Sequence, residues 1–409
     1  MVEALTFPKI VSVDDHVNEP PLLWVDRLPR EFHSVGPRVV RERVPYQNAD
    51  GFRGEAWGDV WLYEDVRVPM HLFHVAADVP PSEVDMRPIT YDEMQTACYD
   101  PVERLAIMDR DGVEASLCFP QFFVRFCGQR FLEAKDKDLA LRGVRAYNDW
   151  LHEEWEAGSG GRLHGATVAP LWDPYLAAAE VRRNAARGAR AVSFSELPTR
   201  LGLPSMYSGQ WEPFFAACAE TDTLVCIHIG SSSTNLTSSD DAPIGLINVN
   251  HYAFVSLSLT DWILSGVFVR HPKLRVMYSE GQAGWIPYLL GRLDVKWREG
   301  YDGVDEVSKL VPELPSSYFK DHVFACVTQD PAASMFIEAV GEDNICFETD
   351  YPHPDSSYPN SVEVAKQQFA GLTQEQLDKV VHHNGRKLLD PTYTPQPITN
   401  PVAPAASPR

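Results

Sequence analysis

Three short apolar runs in this chain each end in side chains able to hold a metal ion. Ile10-Val11-Ser12-Val13 leads into Asp14-Asp15-His16, Leu224-Val225-Cys226-Ile227 leads into His228, and Asn344-Ile345-Cys346-Phe347-Glu348-Thr349 leads into Asp350. A polar group that follows a buried strand is held rigidly at the edge of a core, as a preorganised site requires. Strand alternation puts Asp14 and His16 on one side and Asp15 on the other, which selects Asp14 and His16 as the pair that can grip one ion. With His228 and Asp350 the set has two imidazoles and two carboxylates. Such donors suit one divalent ion, Zn²⁺ first and Mn²⁺ second, with Fe²⁺ disfavoured only by degree. Each residue alone has a plainer reading: Asp14 a strand-end cap, His16 a satisfied half-buried histidine, His228 a loop brace, Asp350 a cap for the turn before Pro352. Their joint placement at three strand ends favours the metal.

Glu280 stands at the end of a further strand-like run and reads as an acid/base, an ion ligand or a partner for a substrate amine. His353, one Pro-containing turn after Asp350, either carries protons at the same mouth or braces the loop. Arg125, flanked by Phe122, Phe123 and Phe126, can hold an anionic or aromatic substrate, or the rings can pack under their own loop. A metal in such a mouth polarises a carboxylate or carbonyl while nearby Asp and His manage protons. Asp350 can ligate through one oxygen and accept a proton through the other.

These residues need a scaffold that brings distant strand ends together. Strand-like runs recur at 10–13, 113–119, 163–168, 189–194, 224–228, 274–279, 322–327 and 344–350, with helix-like stretches at 101–109, 139–155, 175–187, 211–221, 286–297 and 331–339. Eight βα units predict an α/β fold, a closed (β/α)8 TIM barrel, with an open doubly wound sheet as the alternative. Neither G-x-G-x-x-G after the first strand nor a P-loop pattern occurs, which weakens the open nucleotide-binding sheet. Residues 1–390 are read as one barrel domain. A long insertion of about residues 20–100, rich in Pro, Gly, Trp and charge, serves as a lid or substrate-binding structure, or as a peripheral or oligomerising excursion. Residues 391–409 read as a Pro-rich tail.

The 57 acidic against 36 basic residues give a net charge of -21, which argues against nucleic-acid binding. The seven cysteines form no C-x-x-C pair, and four sit in strand-like runs, as buried free thiols in a reducing cytoplasm would. No signal-peptide pattern opens the chain, and no apolar stretch reaches the roughly 18 residues of a membrane span.

The segments Val13-Asp14-Asp15-His16-Val17-Asn18-Glu19-Pro20, Cys226-Ile227-His228, Ser279-Glu280-Gly281-Gln282-Ala283-Gly284-Trp285-Ile286-Pro287-Tyr288 with Arg292, and Thr349-Asp350-Tyr351-Pro352-His353 resemble the amidohydrolase-2 family. The branch in question contains aminocarboxymuconate semialdehyde decarboxylase and the hydroxybenzoate-type nonoxidative decarboxylases. The resemblance runs from about residue 9 to 385. It implies a distorted (β/α)8 barrel, one divalent ion held by Asp14, His16, His228 and Asp350, a homodimer, and either decarboxylation or hydrolysis. An acidic first ligand is similar to the hydroxybenzoate decarboxylases and points to carbon–carbon cleavage of a small unsaturated or aromatic carboxylic acid. The alternative is hydrolysis of an amide, lactone or C–C bond by metal-activated water. One departure stands out: those decarboxylases carry a histidine after strand six, where this chain has Glu280.

Overall fold

The computed structural model describes residues 6–48, 51–239, 241–242, 246–300 and 308–398. Strand β1 (Ile10–Val17) is followed by an antiparallel sheet of β2 (Arg38–Gln47), β3 (Arg53–Tyr63) and β4 (Val66–Pro69). Seven further strands then alternate with helices: β5 (Val113–Pro120), β6 (Leu163–Val168), β7 (Ala191–Ser195), β8 (Leu224–His228), β9 (Val276–Ser279), β10 (Val323–Val327) and β11 (Ile345–Phe347). These seven and β1 form one parallel sheet in the order β1-β5-β6-β7-β8-β9-β10-β11. The ring closes where the segment after β11 meets β1: the Asp350 amide donates to the Asp14 carbonyl at 2.9 Å and the His16 amide to the Tyr351 carbonyl at 2.7 Å. That closure makes the sheet a distorted TIM barrel and removes the open-sheet alternative.

The sequence explains the local structure. Asp-Pro dipeptides start two crossover helices, Pro101–Asp111 and Pro174–Ala185, with Asp100 and Asp173 accepting from the first free backbone amides. Gly112 ends the first of these at φ +76°, a left-handed turn that a Cβ would disfavour. The barrel interior is a compact apolar plug of Val11, Val13, Leu117, Phe119, Cys226 and Met277, among others. Ile10, Val17, Val225, Ile227 and Tyr278 face the other way, into the larger core beneath the helices. All seven cysteines are buried and free.

Several expected boundaries shift. Strand β1 continues through His16 to Val17, so Asp14 and His16 lie inside it rather than after it. Strand β11 stops at Phe347, which puts Asp350 three residues beyond it on the connecting segment. His322 ends the helix Pro315–His322 instead of opening β10. The expected helix 331–339 breaks at Phe336 into Pro331–Met335 and Ile337–Val340.

The insertion is a structured body fastened by aromatic packing. Trp61 on β3 stacks on Phe123 at 5.0 Å between centroids and meets Trp24 edge-on at 5.2 Å. Past β4 the chain returns over the barrel and places Phe73 and His74 on the wall of the central cavity. Of the expected tail, residues 391–398 carry no helix or strand, and residues 399–409 lie outside the described residues. Among the described residues, no helix is long and apolar enough to cross a membrane.

Candidate active site

Asp14, His16 and His228 converge inside the barrel mouth, their nearest ligand atoms all within 4.8 Å of one another. The approach of Asp14 depends on a β-bulge. Ser12 pairs with Ser116 and Asp15 with Cys118, so β1 spends one more residue than β5 between these points. The bulge changes the facing side: Val11 and Val13 point inward before it, Asp14 and His16 at and after it. His228 needs no such device, since it continues the inward series Leu224, Cys226 at the last position of β8.

The polar geometry is that of a cation site. His228 donates from Nδ1 to the Ile229 carbonyl at 2.6 Å, which leaves Nε2 as the free lone pair. That nitrogen lies 3.3 Å from His16 Nε2 and 3.5 Å from Asp14 Oδ2. Both Asp14 oxygens are buried with no hydrogen-bond partner. A buried carboxylate left without a donor is strongly unfavourable unless a cation or proton meets it. Burial first, and then the charges of Glu348, Asp350, Glu280 and Asp15, push the Asp14 carboxyl well above the usual range. Burial and the neighbouring His353 push His16 down to about 4, and burial with His16 lowers His228 further. Two neutral imidazoles and an unpartnered carboxylate facing one another fit a divalent cation.

Asp350 joins through its neighbours. Its Oδ1 lies 3.0 Å from His16 Nε2 and accepts from His353 Nδ1 at 2.8 Å. Burial would raise this carboxyl, but His353 and His16 outweigh burial and hold it well below the carboxylate range. The same contact raises His353 against the effect of its own burial. His353 also packs its ring 4.1 Å from that of His16, and Phe126 stacks on His228 at 3.9 Å.

Glu280 follows β9 directly, in a left-handed conformation with φ +53°. Its amide donates to Glu348 Oε2 at 3.0 Å, and its own Oε2 lies 3.3 Å from His228 Nε2. Burial, then Asp350, Asp355 and Glu348, raise the Glu280 carboxyl well above its ordinary value. The loop beyond is pinned by Asp330, which accepts from the Ala283 and Gly284 amides at 2.9 and 2.6 Å. A Cβ on Gly284 would stand 2.5 Å from that of Ala332, so this close approach requires glycine.

A cavity of about 950 Å³ opens above these groups and is walled by Arg125, Phe126, His74, Tyr252, Trp285 and Asp355, among others. Arg125 donates to Glu133 at 2.9 Å and to Ser233 at 2.7 Å while facing this space. Phe122 packs one layer back, against the His74 ring at 4.9 Å, and Phe126 holds the place on the wall.

A family model described as amidohydrolase matches residues 58–390. The chain belongs to the amidohydrolase family. The matched span begins after β1, so the placement of Asp14 and His16 rests on the barrel geometry above. Among curated proteins the chain is similar to 2-amino-3-carboxymuconate-6-semialdehyde decarboxylase of Dictyostelium discoideum, 24% identical over 297 residues, covering 70% of this chain and 76% of that protein. Among solved structures it is similar to an amidohydrolase of Mycobacterium avium subsp. paratuberculosis K-10, with TM-score 0.70, 21% identity, and coverage of 94% of this chain and 98% of that one. It is also similar to a dihydroxybenzoic acid decarboxylase of Polaromonas sp. JS666 with bound manganese and the inhibitor 2-nitroresorcinol, with TM-score 0.61, 16% identity, and coverage of 93% and 97%. These two likenesses are of fold.

The site includes residues that sequence reasoning passed over. Glu348 faces the barrel interior between Cys326 and Glu280, with Oε1 buried and unpartnered, and burial pushes its carboxyl up to about 8. The signal was present: Glu348 sits two residues before Asp350 and two after inward-facing Cys346. His74, whose Nδ1 is buried without a partner, had no comparable signal, because it comes from a 3-10 turn in the irregular insertion.

Proposed function

We propose that this chain is a metal-dependent nonoxidative decarboxylase acting on a small aromatic or unsaturated carboxylic acid. The observation that carries the reading is the unpartnered Asp14 carboxylate facing the Nε2 atoms of His16 and His228 at the floor of the cavity. Asp14, His16, His228 and Asp350 are the residues that would hold the ion. Zn²⁺ and Mn²⁺ both suit this donor set, and the manganese in the similar Polaromonas structure makes Mn²⁺ an equal candidate to Zn²⁺. The decarboxylases among the similar proteins support carbon–carbon cleavage over hydrolysis.

When bound, the ion supplies a positive charge that draws the substrate carboxylate and a neighbouring oxygen. The chain's own residues do the rest. Phe126 and Trp285 offer apolar surface to a ring, and Arg125 offers a guanidinium at the rim to an anionic substituent. Glu280 would deliver the proton to carbon, a reading supported by its place on the cavity wall against His228 with a side chain 17% exposed. His353 holds Asp350 through Nδ1. The net step exchanges a carboxylate for hydrogen: the C–C bond breaks as CO₂, its electron pair stays on carbon, and the proton from Glu280 takes it.

The same proposal treats residues 1–390 as one catalytic domain, active as a homodimer in a reducing cytoplasm; light scattering of the purified chain tests the dimer. The function is tested by incubating Mn²⁺- or Zn²⁺-loaded protein without oxygen or organic cofactor against carboxylated phenols and muconate-like acids. Release of CO₂, with one deuteron from D₂O at the vacated carbon, is the expected result. Incorporation of ¹⁸O from labelled water into the organic product, without CO₂, would establish hydrolysis instead.

A further inference from the structure

Asp15 sits between two residues that face the metal site, yet its carboxylate points out of the barrel and is 2% exposed. Both of its oxygens are engaged. Oδ1 accepts from Thr349 Oγ1 at 2.5 Å and from the Tyr351 amide at 2.9 Å, and Oδ2 accepts from Ser116 Oγ on β5. Thr349 and Tyr351 are the two neighbours of Asp350, whose φ is +55°. For a residue with a Cβ this conformation costs about 1 kcal/mol or more, so the surroundings must hold it. Ser12 assists by accepting from the Thr349 amide at 2.9 Å.

A buried guanidinium completes the arrangement. Arg104 donates from Nη2 to the His16 carbonyl at 2.6 Å, and its guanidinium carbon lies 4.4 Å from the centroid of the Tyr351 ring. The outer side of β1 and the segment 349–351 are thus fastened to each other behind the site. None of these hydrogen bonds reaches a side chain of Asp14, His16, His228 or Asp350.

We infer that Asp15 is a positioning residue of the metal centre: by clamping both neighbours of Asp350 to β1, it sets where the Asp350 carboxylate stands relative to Asp14 and His16. This rests on the metal reading proposed above. A residue that only joined strands would lower the melting temperature and leave the metal affinity of the folded protein alone, so affinity is the informative readout.

The experiment measures Mn²⁺ affinity by competition with a fluorescent chelator, and the Mn²⁺ EPR spectrum, well below the melting temperature of each variant. Asp15→Ala removes the acceptor for Thr349 and Tyr351, and its affinity is expected to fall about 10- to 100-fold with an altered spectrum. Asp15→Asn keeps one acceptor oxygen for both partners and can donate to Ser116, so its affinity is expected to stay within about threefold of the parent. Thr349→Val removes one arm of the clamp and is expected to fall between them. Affinity of folded Asp15→Ala equal to that of the parent overturns the inference, as does an Asp15→Asn as weak as Asp15→Ala, which would assign the effect to charge. If Asp15→Ala does not fold, Thr349→Val decides, and parental affinity there overturns the clamp. A parent protein that binds no Mn²⁺ or Zn²⁺ sinks the metal reading itself, a failure distinct from equal binding by parent and variants.

Discussion

The backbone amide of Asp350 donates to the backbone carbonyl of Asp14 at 2.9 Å, so two carboxylates 336 positions apart in the chain are fixed to each other across the barrel seam. The seam hydrogen bond serves fold and site together. It closes the sheet, and it sets Asp350 beside the His16 ring, with Oδ1 3.0 Å from Nε2.

Asp350→Asn separates ligation from charge. An amide oxygen can still ligate, but it carries no charge and pairs less strongly with His353 and His16. Turnover is expected to fall at least about 100-fold while bound metal, counted by elemental analysis, falls far less. Retained turnover would remove Asp350 from the chemistry.

Glu280→Gln keeps the size of the side chain and removes its proton. Decarboxylation is expected to slow by about 10²- to 10⁴-fold with metal content unchanged. Equal loss of metal would make Glu280 a ligand, consistent with its 3.3 Å approach to His228 Nε2. Turnover and metal content of one preparation separate the two outcomes.

Metal removal is expected to loosen the protein, because the cation answers the unpartnered Asp14 carboxylate. An ion at about one hundred times its Kd contributes about 2.7 kcal/mol, so chelation lowers the melting temperature and added Mn²⁺ or Zn²⁺ restores it. Asp14→Asn should weaken that response: the metal-free variant melts higher than the metal-free parent, because the unpartnered acidic group is gone, and it gains less from the ion. A metal-free Asp14→Asn that melts lower than the parent would count against this account.

Asp111, far along the chain from the metal donors, supplies a pH dependence of stability. Burial pushes its carboxyl from an ordinary 3.8 up to about 6, against the opposing hydrogen bonds from Ser361. Between those values the folded state binds more protons than the unfolded state, so stability falls as pH rises through the window. The loss amounts to about 3 kcal/mol by the time Asp111 is ionised. Asp111→Asn stays neutral, and its melting temperature between pH 4 and 6.5 should decline less steeply than that of the parent. Parallel profiles would rule out this group as the cause.

Much of the architecture was legible in the chain itself. Eight apolar runs spaced by crossover-length segments predict a parallel α/β sheet, because parallel strands buried on both faces need near-continuous apolar sequence and a helix between each pair, while closure into a barrel was decided by the seam between Asp350 and Asp14. His228 could be placed from its run alone, since Leu224, Cys226 and His228 share a parity and β8 keeps it. The insertion was visible as a break in rhythm, but nothing in it marked His74, whose ring packs on Phe122 at 4.9 Å and whose carbonyl accepts from the Gln121 side chain, 47 positions on in the chain.

The chain by itself determined which side chains could make a metal site, and that Asp14 and His16 share a side while Asp15 takes the other. Which side is inward was decided only in three dimensions. Strict alternation from Val11 and Val13, which fill the barrel, would have sent Asp14 and His16 outward; the extra residue between Ser12 and Asp15 reverses that. The bulge exists because β1 must match the register of β5 on one edge and accept the Asp350 seam on the other. Those constraints arise from strands about 100 and 330 residues away in the chain, beyond the reach of local periodicity.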